Sequence, residues 1–314
     1  MALEGLGPAV AAAYGLGSGA QISGPVARGQ MGSVWSLTTD RGRYAVKVPF
    51  AAPTAAEAED DAAYQDAVAS TGVPMPAVRR TREGRVLADV GGATVRVYDW
   101  VDLGVGVDRG LDPAAVGAVI AAIHRVDHPD DRPVIGWHTD PVGEDEWRSL
   151  VSRCRSAGAP FSPALEAMLP EILALEQLLV PPTTTRRCHC DLWADNVRGT
   201  ADGGVVVLDW ENSGSADPAG ELPMVMFDFG LEDPARMRSL YRAYVDTGGP
   251  EHLTDEGDCS MLVATLHHIG REGATRWLAA TTQPQREANA AWVAEFVGTP
   301  LTRKTVDLIV AAAR

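Results

Sequence analysis

Lysine is nearly missing from this chain of 314 residues: only Lys47 and Lys304 carry it, and the other permanently cationic side chains are all arginine. Positive charge as a whole is scarce, with 27 Lys and Arg against 42 Asp and Glu and a formal net charge of −15. Nucleic acid and anionic membrane surfaces both reward a basic face, so neither is an expected partner. The acidic balance suits a cationic small molecule, and solubility alone accounts for it equally well. The four cysteines, Cys154, Cys188, Cys190 and Cys259, are too few and too scattered for a disulfide framework and fit a reducing, cytoplasmic setting. No stretch is long and apolar enough to span a membrane, and no internal repeat stands out. Residues 1–21 read as a leading helix; they carry Glu4 and no basic residue ahead of their apolar run, which argues against a secretory signal. With 46% apolar residues the chain can fill one large core or two lobes.

What is present is concentrated in 188–211, CHCDLWADNVRGTADGGVVVLDWE. The carboxylate of Asp191 is followed five positions on by the amide of Asn196. A turn rich in glycine (Gly199, Gly203, Gly204) then returns the chain through an apolar strand to Asp209. This layout suits phosphoryl transfer, in which the protein supplies a placed base and oxygen ligands for magnesium rather than covalent chemistry. Magnesium keeps waters and phosphate oxygens in its shell, so two protein oxygens, from Asn196 and Asp209 on opposite arms of a hairpin, suffice. Asp191 is placed to accept the proton of an attacking hydroxyl.

Upstream, 22–48 reads as strand, glycine turn, strand, a second turn at 40–42, and a third strand carrying Lys47. Gly29 and Gly32 would let backbone N–H groups approach phosphates and Ser33 adds a hydroxyl, although Gly-x-x-Gly alone is also an ordinary hairpin turn. An ammonium is a compact point charge suited to bridging phosphate oxygens, which gives one of only two lysines a reason to stand at position 47. Residues 54–69 have helical composition, with Glu57 and Asp61 one turn apart. Gly91-Gly92 suits a two-residue hairpin turn between strands at 85–90 and 94–97. Asp112-Pro113, Ser162-Pro163 and Asp217-Pro218 each offer a capping side chain and a first-turn proline, and Pro170 should kink or break the helix it interrupts.

His189-x-Asp191-x-x-x-x-Asn196 followed by Asp209-Trp210-Glu211 resembles the aminoglycoside phosphotransferases and the choline-kinase-like small-molecule kinases, distant relatives of protein kinases. Cys190 departs from the usual glycine of that motif and Trp193 from the histidine common in antibiotic kinases, while Asp191-Leu192-Trp193 is also similar to fructosamine kinases. The resemblance implies an α+β, protein-kinase-like fold: an N-lobe of antiparallel sheet plus helix at 1–98, a linker at 99–104, and a mostly helical C-lobe at 105–314. It implies ATP or GTP and Mg2+ as cofactors, Asp191 as base, Asn196 and Asp209 as metal ligands, and Lys47 on the α and β phosphates. It further implies that Lys47 pairs with an acid of the following helix, Asp61 in preference to Glu57. Backbone groups from Asp99 to Val101 would hold the nucleotide base. The implied acceptor is a small-molecule hydroxyl, as in an aminoglycoside-type antibiotic. A metabolic acceptor of fructosamine, choline or sugar type is the alternative, and a non-catalytic nucleotide-binding module is a reading of another class.

Several tempting motifs are set aside. Asp228-Phe229-Gly230 spells the metal motif of protein kinases, yet it follows a helical stretch rather than a buried strand, so Asp228 is assigned to helix packing or to the acceptor cleft. Cys188-His189-Cys190 alternates on a strand and fits burial better than zinc. His124 reads as a structural histidine, and His128, His138 and Asp140 lack regular ligand spacing. Residues 234–314 are mostly helical. Glu211, Asp217, Glu232 and Asp233, with Trp277 and Trp292, are candidates for an amino-sugar or polyamine acceptor, each with a ready alternative in capping, solvation or packing.

Overall fold

The computed structural model describes residues 5–29, 31–105 and 109–314. Residues 1–4 of the expected leading helix, Glu4 among them, and Gln30 within the expected glycine loop lie outside the described residues. The chain divides into two compact units, one of residues 1–108 with 194–213 and the other of 109–193 with 214–314.

In chain order the first unit begins with α1 (Gly7–Tyr14), β1 (Gln21–Arg28), β2 (Gly32–Thr39), β3 (Gly42–Pro49), α2 (Ala55–Ala69), β4 (Val78–Arg79), β5 (Ala88–Val90) and β6 (Ala93–Asp99). The strands form one antiparallel sheet in the order β1-β2-β3-β6-β4, with β5 paired to β6. Alternation along the strands sends Leu37, Val46, Val48, Val95 and Val97 into a core that also receives Val10, Ala11 and Tyr14 of α1. Tyr14 fixes that helix to the sheet by donating to the carbonyls of Val86 and Val95, each at 2.8 Å. Gly91 and Gly92, both at positive φ (58° and 80°), make the expected two-residue turn between β5 and β6. Thr54 and Glu57 close a capping box at the start of α2.

The chain continues through α3 (Pro113–His124), α4 (Glu144–Ser156), α5 (Ser162–Glu176), β7 (Arg186–Cys188), β8 (Val197–Gly199), β9 (Val205–Val207), β10 (Gly214–Ala216), α6 (Pro218–Gly230), α7 (Pro234–Asp246), α8 (Ser260–Ala279), α9 (Gln283–Gly298) and α10 (Arg303–Ala312). The β8–β9 hairpin, which the sequence reading counted with the C-lobe, groups with the first unit. Backbone bonds explain why: Gly104 donates to Gly199, Ala201 to Asp102 and Val207 to Pro74, at 2.8, 3.0 and 2.9 Å.

The second unit is helical apart from the β7–β10 pair, in which Cys188 faces Gly214. Asp112 and Asp217 cap α3 and α6 as expected, accepting from Ala114 and Ala219. Ser162 does not cap α5. The helix starts one residue earlier than a serine cap would require, with Phe161 as the flanking residue and no side-chain cap bond. Pro170 does not break that helix, which runs on to Glu176. Glu176 is itself buried, and its carboxylate accepts from the Val142 and Gly143 N–H groups ahead of α4 and from Trp147 Nε1, with His267 Nδ1 at 3.3 Å. A carboxylate at a helix start answers both the unpaired N–H groups and the helix dipole.

Candidate active site

In the first unit the β8–β9 register pairs Val197 with Val207, and Leu208 donates to the Asn196 carbonyl at 2.8 Å. Asn196 therefore stands opposite Leu208, one residue from Asp209, at the open end of the hairpin. Asp209 has φ 59° and ψ 60°, a left-handed conformation that non-glycine residues other than Asn, Asp and His seldom adopt. The bend passes the chain into a 3₁₀ turn, Trp210–Asn212, fixed to α2 by Trp210, whose ring meets Tyr64 edge-on at 5.7 Å. Glu211 then faces the sheet.

Lys47 on β3 meets both acids. Its Nζ donates to Asp209 Oδ1 at 2.5 Å and to Glu211 Oε2 at 2.8 Å, and the lysine side chain is only 14% exposed. Burial works against the ammonium, but the two carboxylates outweigh it and hold the Lys47 pKa above its ordinary value. Burial and the adjoining Glu211 raise Asp209, to about 8, against the pull of Lys47. Glu211 is held well below the usual carboxylate range: burial would raise it, yet Lys47, the hydrogen bond with Asp209 and Arg96 together prevail. Tyr98 donates to the other Glu211 oxygen at 2.6 Å.

The expected partner of Lys47 is corrected here. Asp61 of α2 accepts from Arg96 at 3.3 Å instead, and Glu57 serves the capping box, which leaves Lys47 to the two acids at the hairpin end. Of the remaining expected nucleotide residues, Gly32, Ser33 and Asp99 are on strands of the same sheet, while Gly29 follows β1 and Val101 follows β6. Gly29 donates to the Gly32 carbonyl, and a side chain at Gly29 would meet open space. At Gly32 a Cβ would lie 2.6 Å from the Val48 carbonyl, so this glycine is required by the approach of β2 to β3. Ser33 is buried, with its hydroxyl accepting from Trp35 Nε1 at 3.2 Å. Beyond Asp99, whose N–H bonds Ala77 and whose carboxylate bonds Arg79, the last sheet bond runs from Trp100 N–H to Arg43, and Val101 follows it.

In the second unit Asp191 is half-buried and follows Cys190, which has φ 64°. That angle gives the glycine usual at this place in resembling motifs a physical reason. The loop is anchored through Glu221 of α6, fully buried, which accepts the Cys190 N–H and lies 3.0 Å from His124 Nε2. Burial would raise Glu221, but His124, His189 and the Cys190 N–H hold it below the usual range. His124 also meets the Tyr244 hydroxyl at 3.0 Å. Sequence reasoning recovered His124 as structural and passed over Glu221. The signal for it was available: a glutamate four residues past the Asp217 cap, in a helix whose only other charged residue is Asp228, needs a buried partner.

The acceptor candidates on the second unit turn out to be engaged locally. Asp217 and Asp233 cap helices, Glu232 accepts from Thr305, and Asp228 lies 2.7 Å from Arg109. Trp277 packs against Phe161 and under Arg286, and Trp292 under Arg276. Among the described residues no helix is long and apolar enough to cross a membrane.

The model of the phosphotransferase enzyme family (APH) matches residues 24–253 of this chain, which include Lys47, Asp191, Asn196, Asp209 and Glu221. The chain belongs to that family. It is accordingly a phosphotransferase, with the expected α+β kinase-like fold of antiparallel N-terminal sheet and helical remainder. A spectinomycin phosphotransferase crystallised with ADP and spectinomycin is similar over 98% of this chain and 97% of its own, at 17% identity and a TM-score of 0.68. An aminoglycoside phosphotransferase from Alicyclobacillus acidocaldarius is similar over 96% and 94%, at 16% identity and a TM-score of 0.64. A microcompartment-associated aminopropanol kinase is similar over 89% and 90%, at 13% identity and 0.55. Against curated protein sequences nothing matches.

Proposed function

We propose that this phosphotransferase moves the γ-phosphoryl group of ATP or GTP to a hydroxyl of a small molecule, an aminoglycoside-type antibiotic or a related amino sugar. Asp191 is the base in this reading, Lys47 aligns the nucleotide phosphates, and Asn196 and Asp209 hold Mg2+. The observation that carries it is the convergence of Lys47 with the Asp209 and Glu211 carboxylates at the open end of the hairpin that begins at Asn196. Hard oxygen donors beside a buried ammonium fit a magnesium–nucleotide pair. The metal, when bound, neutralises charge building on the transferred phosphoryl oxygens. Lys47 orients the phosphates. Asp191 takes the hydroxyl proton as the acceptor oxygen attacks, and Glu221 and His124 keep the Asp191 loop in place.

The named ligand of the spectinomycin phosphotransferase supports an amino-sugar acceptor, and a cytoplasmic role in antibiotic resistance goes with it. The aminopropanol kinase and an ethanolamine kinase among the similar structures favour a second reading, a metabolic amino-alcohol or sugar acceptor. One panel separates them: ATP and GTP with Mg2+, against aminocyclitols, aminoglycosides, amino alcohols, choline and glycated amines, scored by nucleoside diphosphate release and acceptor mass gain. Turnover stimulated by one acceptor class supports the proposal, and an amino alcohol as that class moves the assignment to the second reading. Nucleotide binding with no stimulation by any hydroxyl acceptor would overturn both.

A further inference from the structure

Lys47 and Arg96 are direct cross-strand partners in the β3–β6 pair, so two cations stand side by side on one face of the sheet. Like charges in that relation repel, and both side chains are shielded from water, 14% and 2% exposed. Three carboxylates compensate them, and they are not interchangeable. Asp61 belongs to Arg96, at 3.3 Å, with the Ala58 carbonyl at 3.4 Å on the second guanidinium nitrogen. Asp209 belongs to Lys47 alone among the ion pairs of these two cations. Glu211 stands between: Oε2 is 2.8 Å from Lys47, while Oε1 accepts from Tyr98 at 2.6 Å and lies 3.9 Å from Arg96. Tyr98 is two residues from Arg96 on β6 and therefore projects to the same face.

We propose that Tyr98 and Arg96 are positioning residues that clamp Glu211 as the standing partner of Lys47, so that Asp209 is released to the metal when nucleotide binds. This rests on the phosphoryl-transfer reading and deepens it. The ion pair that aims the phosphate lysine is thus Lys47–Glu211, formed across the sheet to the turn after the hairpin. Helix α2 is outside that pair, because its acid is committed to Arg96. The clamp has a geometric logic. A carboxylate held at one oxygen by a phenol and a guanidinium keeps the other oxygen aimed at the lysine, whereas Asp209, held by Lys47 and by its hydrogen bond with Glu211 but by neither Arg96 nor Tyr98, can follow a metal.

The test uses the full chain and three variants: Tyr98→Phe, Glu211→Gln and Asp61→Asn. The readouts are the Kd of a non-hydrolysable ATP analogue with Mg2+ by calorimetry, the nucleotide and acceptor KM, and the apo melting temperature. Tyr98→Phe removes one hydroxyl and keeps the ring, and should weaken the analogue about tenfold and raise the nucleotide KM in step, with the acceptor KM unchanged. Glu211→Gln should weaken it at least as much. Asp61→Asn should lower the melting temperature yet alter analogue affinity less than about threefold. Equal affinity for Tyr98→Phe and the wild type, or a loss in Asp61→Asn matching that of Glu211→Gln, would overturn the clamp while leaving the enzyme's reaction standing. A wild-type protein that binds no nucleotide would overturn the clamp and the proposed function together. If Tyr98→Phe does not fold, the comparison of Glu211→Gln with Asp61→Asn decides alone.

Discussion

Replacing Glu221 discriminates sharply between a loop held by chemistry and one held by packing. Its carboxylate is wholly buried, accepts the N–H of Cys190 and faces His124 Nε2. Glu221→Ala leaves that N–H and the imidazole without their acceptor, and breaking such a buried pair costs ~3–5 kcal/mol. At ~2–4 °C per kcal/mol for a domain of this size, melting should fall by roughly 6–20 °C. Glu221→Gln keeps the shape and one acceptor oxygen. Its amide can donate to Nε2 if His124 switches tautomer and donates from Nδ1 to Tyr244, so the cost should shrink to ~1 kcal/mol. The assay is denaturant and thermal unfolding of both variants beside kcat at saturating substrates. The alanine variant should lose kcat more than nucleotide affinity, because the N–H it orphans precedes Asp191 by one residue. An alanine variant that melts and turns over like the wild type would refute the reasoning, as would a glutamine variant as damaged as the alanine one.

Two further outcomes follow from the same geometry. Glu176 carries four contacts at the start of α4 and beside α8; burial would raise its pKa, but His267, Trp147 and the Gly143 N–H keep it below the usual range. Its folded pKa is depressed, so its stabilisation is present above the unfolded value of ~4.3 and is lost as pH falls through the folded one; Glu176→Gln should lower stability at pH 7 and flatten the acid limb of a stability-versus-pH curve. Gly32→Ala should destabilise by ~1–3 kcal/mol in urea unfolding, since its Cβ meets the Val48 carbonyl at 2.6 Å, while Gly29→Ala, with open space at its Cβ, should melt as the wild type.

The elements whose cause is local were legible in the sequence. Asp112-Pro113 and Asp217-Pro218 started helices, Gly91-Gly92 made a turn, and the glycines of 199–204 closed the hairpin, because capping and positive φ are properties of a few adjacent residues. Ser162-Pro163 failed as a cap for a tertiary reason: Ser162 lies inside the first turn and is buried beside Phe161. Of the candidate site, Lys47, Asn196 and Asp209 could be named from residue type and spacing. Their partners could not, because Asp61 and Glu211 both carry the right charge and only the pairing of Lys47 with Arg96 across β3 and β6 decides which acid goes to which cation. Glu221 was missed for a similar reason. Its role is defined by a backbone N–H 31 positions away in sequence, which no local pattern announces.

The measurement that bears most directly on the central claim is single-turnover phosphoryl transfer by Asp191→Asn, run beside calorimetric binding of a magnesium–nucleotide analogue. With Asp191 as base, transfer should fall at least ~100-fold while analogue affinity stays within about threefold of the wild type. Transfer at the wild-type rate in the asparagine variant would contradict the account.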